Sequence, residues 1–167
     1  TKKKKGGVTV TPVTTSTCFE DVIRKNNGSV IYTKVGSPIV AAAMKKNHAV
    51  FGGEENGGLI FPEFQHCRDS AMSLATVLEI LATEQRSLSE LIAEIPSYEM
   101  VKTKIVCPND QKEQVMHLLV EEMKHHQEII DIDRTDGLKM YMKDGWVLMR
   151  PSGTEPIFRV YVEAKEK

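Results

Sequence analysis

Up to about residue 95 the chain alternates apolar runs of strand length with segments of helical spacing, and this alternation restricts its fold more than any other feature. Gly7 to Thr11 reads as a strand and Thr17 to Lys25 as a helix. Ser29 to Thr33 is a second strand, Pro38 to Lys46 an alanine-rich helix, and Ala49 to Gly52 a third strand. Such an order predicts a three-layer α/β domain with a mixed, largely parallel sheet. A loop follows over Gly53 to Arg68. Beyond it Asp69 or Ser70 is expected to cap a longer helix whose apolar positions Ala71, Leu74, Ala75, Leu78, Leu81 and Ala82 recur at helical spacing. Leu88 to Ile95 reads as a second, short helix.

The pattern breaks at Ile95-Pro96-Ser97-Tyr98, where proline biases its predecessor away from helix and apolar periodicity stops. The boundary is placed there, giving domains 1–95 and 96–167. The second domain opens with a strand, Val101 to Cys107. A helix then starts at Asn109 or Asp110, where Asp110 and Glu113 have capping-box spacing and Val115, Leu119 and Met123 share a face. Strands Ile129 to Asp133, Leu138 to Met142, Gly145 to Arg150 and Ile157 to Ala164 follow, with turns at Asp136-Gly137 and Asp144-Gly145. The expectation is a small α+β domain with a mostly antiparallel sheet.

The remaining bounds are ordinary. With 41% hydrophobic and 27% charged residues the chain has the composition of a globular protein, and a formal net charge of -1 argues against a general polyanion-binding surface. The basic run Lys2 to Lys5 reads as a solvated tail. No apolar stretch reaches the roughly 18 residues that span a bilayer, so no membrane association is expected. Cys18, Cys67 and Cys107 are odd in number, widely spaced and without metal-ligand spacing, which suits a reducing, cytoplasmic setting. His117, His125 and His126 lie on a polar helix and read as solvated, while His48 is expected to close the helix before it.

Two loops carry ligand chemistry. Arg150-Pro151-Ser152-Gly153-Thr154-Glu155-Pro156-Ile157-Phe158-Arg159 sets two arginines, two hydroxyls and a glycine between two strands. Arginine offers a planar fork of donors that matches phosphate oxygens, and Ser152, Thr154 and the backbone at Gly153 can complete a phosphate site. Ser-Gly-Thr is also common turn composition, and arginines beside a hairpin are often merely solvated. Arg150 and Arg159 are expected at the mouth of the loop, with Arg159 on the face shared by Tyr161 and opposite Phe158, Val160, Val162 and Ala164. In the first domain, Gly53-Glu54-Glu55-Asn56-Gly57-Gly58 follows a strand. Ligands bind at the carboxyl ends of such strands, and Glu54 or Glu55 with Asn56 can hydrogen-bond neighbouring sugar hydroxyls. The alternative is a surface turn with solvated carboxylates.

On these residues the chain resembles the α-D-phosphohexomutases, in particular their phosphomannomutase/phosphoglucomutase/phosphoglucosamine mutase branch. Gly53 to Gly58 is similar to the family's sugar-recognition loop, and Arg150 to Pro156 with Arg159 to its phosphate-binding loop. Thr33-Lys34-Val35-Gly36 resembles the turn ahead of the sugar loop, and Thr11-Pro12-Val13-Thr14-Thr15-Ser16 the segment entering the third domain. The resemblance covers essentially the whole chain, as third and fourth domains. The fourth is expected to be a sheet platform of the TATA-box-binding-protein-like kind.

The resemblance implies a phosphomutase that interconverts hexose 6-phosphate and hexose 1-phosphate through a phosphoserine enzyme and a hexose 1,6-bisphosphate. The catalytic serine and metal loops of the family are not in this sequence. They are expected, with Mg2+, on an N-terminal half, which makes this chain alone inactive and free of catalytic and metal-binding residues. Its implied share is recognition: Glu54, Asn56 and Gly57 for sugar hydroxyls, and Arg150, Ser152, Gly153, Thr154 and Arg159 for the non-reacting phosphate. Lys34, Gly36, Ser37, His66 and Arg68 are further candidates. Asn56 stands where several relatives have serine, and Ser37 where they often have aspartate or histidine, so mannose, glucose and glucosamine phosphates all stay open as substrates. Two other readings are a noncatalytic phosphosugar-binding module and a nucleic-acid-binding platform. The absence of a basic stripe with interleaved aromatics disfavours the last.

Overall fold

The computed structural model describes residues 6–165. The run Lys2 to Lys5 lies outside the described residues. The chain divides into two compact units, Thr1–Ser97 and Tyr98–Lys167.

In the first unit, strand β1 (Gly7–Pro12), helix α1 (Thr17–Lys25), β2 (Gly28–Thr33), α2 (Ser37–Lys46), β3 (Phe51–Gly53) and β4 (Leu59–Ile60) alternate as the sequence predicts. The sheet runs β2-β1-β3-β4, with β1 parallel to β2 and β3, and β4 antiparallel to β3. The two-residue β4 falls within the segment expected to be loop. Val10, Val40, Met44, Ala49 and Ile60 form the core between α2 and the sheet. Asn47, rather than His48, closes α2, and His48 takes a left-handed conformation (φ 49°) just beyond it.

Helix α3 (Ser70–Glu84) is capped by Asp69, whose side chain accepts the Met72 N–H at 2.8 Å. Its apolar stripe departs from the sequence expectation. Leu74 and Leu78 are 61% and 56% exposed, Val77 and Ile80 on other sides of the helix are exposed as well, and no residue of the helix is buried. Helix α4 (Leu88–Ile92) starts with a capping box, in which Ser87 and Glu90 satisfy each other's backbone N–H groups. The Ser87 hydroxyl and N–H hold the Glu90 carboxyl below the usual carboxylate range.

The second unit begins with β5 (Tyr98–Val106), followed by α5 (Lys112–Met123), β6 (Asp131–Asp133), β7 (Leu138–Met142), β8 (Gly145–Pro151) and β9 (Ile157–Lys165). All five strands are antiparallel, in the order β5-β9-β8-β7-β6. Helix α5 covers one face through Met116, Leu119, Val120 and Met123, against Leu138, Met140, Val147 and Met149. Asp110 and Glu113 do not cap it. The helix starts two residues later, behind Gln111, and has no side-chain cap.

On the opposite face Trp146 donates Nε1–H to Glu163 Oε1 at 2.7 Å, and Lys139 Nζ lies 3.8 Å from the Trp146 ring centroid, within cation–π range. These three residues are almost fully buried, as is Tyr161. Strand β9 is therefore covered on both faces at Val160 and Tyr161, beyond the single apolar face read from its alternation.

The turn between β6 and β7 depends on Gly137, which has φ 96°. A Cβ there would lie 2.4 Å from the Met149 carbonyl oxygen on β8. Gly137→Ala is expected to destabilise the second unit by about 1–3 kcal/mol. The check is denaturant unfolding followed by Trp146, the chain's one tryptophan; an unshifted midpoint would contradict the packing of this turn.

Candidate functional site

Three segments of the first unit meet at one edge of its sheet, because the parallel strands β1, β2 and β3 all end there. Pro12 is in register with Thr33, and Val10 with Gly52. The carboxyl ends of parallel strands are where α/β sheets receive ligands.

Buried threonines fix the start of the Gly53 to Gly58 loop. Thr11 Oγ1 donates to the Gly53 carbonyl at 3.0 Å and lies 2.6 Å from Thr15 Oγ1. A hydroxyl has one proton to give, so in the second contact Thr15 is the donor. The loop then folds on itself. Glu54 N–H donates to Gly58 O, Gly57 N–H to Glu54 O, and Gly58 N–H to Asn56 Oδ1, each at 3.1 Å. Gly57 supplies the positive φ (89°) that this reversal requires.

The Glu54 side chain turns inward, while Asn56 and Gly57 are exposed. Glu54 Oε1 accepts the Gly36 N–H at 3.2 Å, and Oε2 is 3.5 Å from Arg68 Nη1. Gly36 is the N-cap of α2, so this carboxylate lies at the positive end of a helix and joins two of the sequence-marked segments. Ser37 opens that helix, and Lys34 is exposed at the end of β2. His66 is elsewhere. It lines a depression with Met44, Lys45, His48 and Val50, beside the start of β3, whereas Glu54 follows its end.

In the second unit, Arg150 on β8 pairs in register with Arg159 on β9. Two like charges directly opposite on neighbouring strands repel. Each has a carboxylate partner. Arg150 Nε donates to Asp136 Oδ2 at 2.6 Å, with both side chains less than one-fifth exposed, and Arg159 pairs with Glu155, with both side chains nearly half exposed. The Arg150 guanidinium carries four further donors on its terminal nitrogens.

Between the arginines, Ser152 is buried. Its Oγ accepts the N–H of Glu155 at 3.2 Å and of Thr154 at 3.4 Å, and its own N–H donates to Ile157 O at 2.9 Å. Gly153 and Thr154 form the exposed tip. From outside the loop, Lys112 on the first turn of α5 donates to the carbonyls of Ser152 and Glu155, each at 2.6 Å.

Asp136 and Lys112 escaped the sequence reading. For Asp136 a signal existed: its Asp-Gly turn leads into β7, the neighbour of β8, beside the end that carries Arg150. For Lys112 none did, since 40 residues separate it from Ser152. Among the described residues no group of three or more His, Cys, Asp or Glu gathers to hold a metal ion. No helix among the described residues is long and apolar enough to cross a membrane.

The model of the phosphoglucomutase/phosphomannomutase alpha/beta/alpha domain III matches residues 1–98, and that of the phosphoglucomutase/phosphomannomutase C-terminal domain matches residues 103–167. A probable phosphoglucosamine mutase of Methanopyrus kandleri is 43% identical over 166 residues, covering 99% of this chain and 36% of that protein. A phosphoglucomutase/phosphomannomutase of Thermococcus kodakarensis is 45% identical over 163 residues, covering 97% of this chain and 35% of that one. The crystal structure of a phosphoglucomutase/phosphomannomutase family protein from Burkholderia thailandensis shares the fold, with a TM-score of 0.85 at 22% identity over 99% of this chain and 35% of that chain. The chain thus spans about a third of the length of these relatives.

Thr11 tests the frame of the first loop. Thr11→Val keeps the side-chain shape but leaves the Gly53 carbonyl without this donor, and is expected to cost about 1–3 kcal/mol. Urea unfolding of the variant measures it, and a loss below a few tenths would remove Thr11 from that role.

Proposed function

The chain belongs to the phosphoglucomutase/phosphomannomutase family, and on that premise we propose that it is the substrate-recognition part of a phosphohexomutase. The first unit is the sugar-binding domain and the second the phosphate-binding domain. The whole enzyme moves a phosphoryl group between O6 and O1 of a hexose through a phosphoserine and a hexose 1,6-bisphosphate. Mannose, glucose and glucosamine phosphates are its candidate substrates. Its phosphoserine, and the magnesium that accompanies it, belong to parts of the polypeptide outside this sequence.

The observation that carries this reading is the pair of in-register arginines flanking a loop with an exposed Gly153-Thr154 tip. Their carboxylate partners differ in what a ligand can displace. The Arg150–Asp136 contact is largely shielded from water and holds the guanidinium in one orientation, leaving the terminal nitrogens for phosphate oxygens. The Arg159–Glu155 pair is half exposed, and such pairs contribute about 0–1 kcal/mol, so a doubly charged phosphate competes well for Arg159. Ser152 shapes the turn with its oxygen and keeps its hydroxyl proton as a donor. Thr154 and the Gly153 backbone complete the set.

In the first unit, Glu54 and Asn56 are the groups for sugar hydroxyls. Gly36 uses one of the Glu54 hydrogen-bonding positions and the Arg68 guanidinium stands 3.5 Å from the other oxygen, whereas an ionised carboxylate has about four such positions. Gly57 lets the backbone come close to a ring.

Calorimetry with a hexose 6-phosphate separates the two roles. Arg150→Ala is expected to weaken binding by about 1.5–3 kcal/mol, the range of hydrogen bonds to charged groups. Glu54→Gln is expected to weaken hexose phosphate binding while inorganic phosphate binds as before. Unchanged affinity in Arg150→Ala would refute the clamp, and equal loss of both ligands in Glu54→Gln would refute the sugar role. A coupled assay on the chain by itself is expected to detect no interconversion of hexose 1- and 6-phosphates; turnover would overturn the placement of the chemistry outside this sequence.

A further inference from the structure

The geometry points to Lys112 as the positioning residue that shapes the Ser152 to Glu155 loop for an anion; this rests on the phosphate-binding reading of that loop. Lys112 is the first residue of α5, where the helix dipole disfavours a cation, and Gln111 before it gives no side-chain cap. A residue that breaks a local rule signals a compensating interaction. Here the ammonium leaves the helix and donates to two loop carbonyls, of Ser152 and Glu155, each at 2.6 Å. Those distances are short for N–H···O contacts, as expected when the donor is charged.

The two carbonyls are three residues apart, so one ammonium pinches the base of the turn. All described peptide bonds are trans, and in a trans peptide the N–H points opposite to the C=O. With the Ser152 carbonyl drawn to Lys112, the Gly153 N–H is aimed away from it. A Cβ on Gly153 would meet nothing within 4 Å, so the tip itself is open. Lys112 thus turns a backbone donor outward at the exposed tip, between the strands that carry Arg150 and Arg159. It also places a positive charge directly behind the loop, where the field favours an anion in front. Its role is indirect, since these two contacts are to the loop backbone.

The test is two-dimensional NMR of the 15N-labelled chain titrated with inorganic phosphate and with glucose 6-phosphate, for wild type, Lys112→Met and Lys112→Arg. In wild type the Gly153 amide resonance is expected to shift on binding. Lys112→Met should weaken phosphate about tenfold, equal to about 1.4 kcal/mol, with loss of the Gly153 shift and otherwise native dispersion. Lys112→Arg, which keeps the charge and the donors, should recover most of the affinity. Native affinity and an intact Gly153 shift in Lys112→Met would overturn the role of Lys112 while leaving the phosphate site standing. A wild-type chain that binds neither probe would overturn the phosphate site itself. Should Lys112→Met lose the fold, the wild-type spectrum decides: phosphate binding that leaves the Gly153 amide unmoved refutes the inference.

Discussion

Seven consecutive residue pairs between β8 and β9, from Gly145–Ala164 to Pro151–Phe158, determine where the loop at Ser152 begins and which way Arg150 and Arg159 face. Side chains alternate along a strand, so a slip of one residue would move Arg150 to the face packed under α5. The Trp146–Glu163 hydrogen bond joins one of these pairs, and Leu148 and Tyr161, buried opposite each other, fill the next position on the same face. The charged pair that flanks the loop is therefore set by a buried, partly aromatic ladder. The precision of the loop comes from strand pairing a few residues away.

Both loops use one device, a side chain that ties loop to frame by hydrogen bonds. In the first unit Thr11 holds the Gly53 carbonyl, and Glu54 connects its loop to the start of α2. In the second, Asp136 holds Arg150 by one nitrogen, and Ser152 holds the turn by its oxygen. Preorganisation of this kind lowers the ordering cost of binding, because side chains that are already fixed lose little entropy when a ligand arrives.

The parallel strands, α1 and the antiparallel sheet were legible from periodicity, since a strand half covered by a helix must alternate and an amphipathic helix must repeat. Helix α1 spans Thr17–Lys25 and β7 spans Leu138–Met142, the limits read from the sequence. What stayed illegible depends on distant partners. The capping-box spacing of Asp110 and Glu113 suggested a helix start that the structure moves to Lys112, and from there the lysine reaches carbonyls 40 and 43 positions along the chain. The two residues of β4 are too few for any periodicity, and they exist because Gly52 and Gly53 pair with Ile60 and Leu59. At the sites, residue types and loop positions were legible, but the inward turn of Glu54 and the separation of His66 from its loop were not. Both follow from which end of β3 each residue adjoins.

Helix α3 extends the same lesson to what this chain does not cover by itself. Leu74, Val77, Leu78 and Ile80 point in several directions around the helix and all are exposed. Helices apolar on more than one side are stable in water when something covers them, whereas a surface helix needs only one apolar stripe. Apolar periodicity reports that a face requires cover without saying which part of a polypeptide supplies it. Leu74 and Leu78 have helical spacing, yet within the described residues they are not covered. The two loops are fixed by strand pairing and hydrogen bonds within their own units, whereas no residue of α3 is buried among the described residues, so loop geometry and helix burial place different demands on the polypeptide.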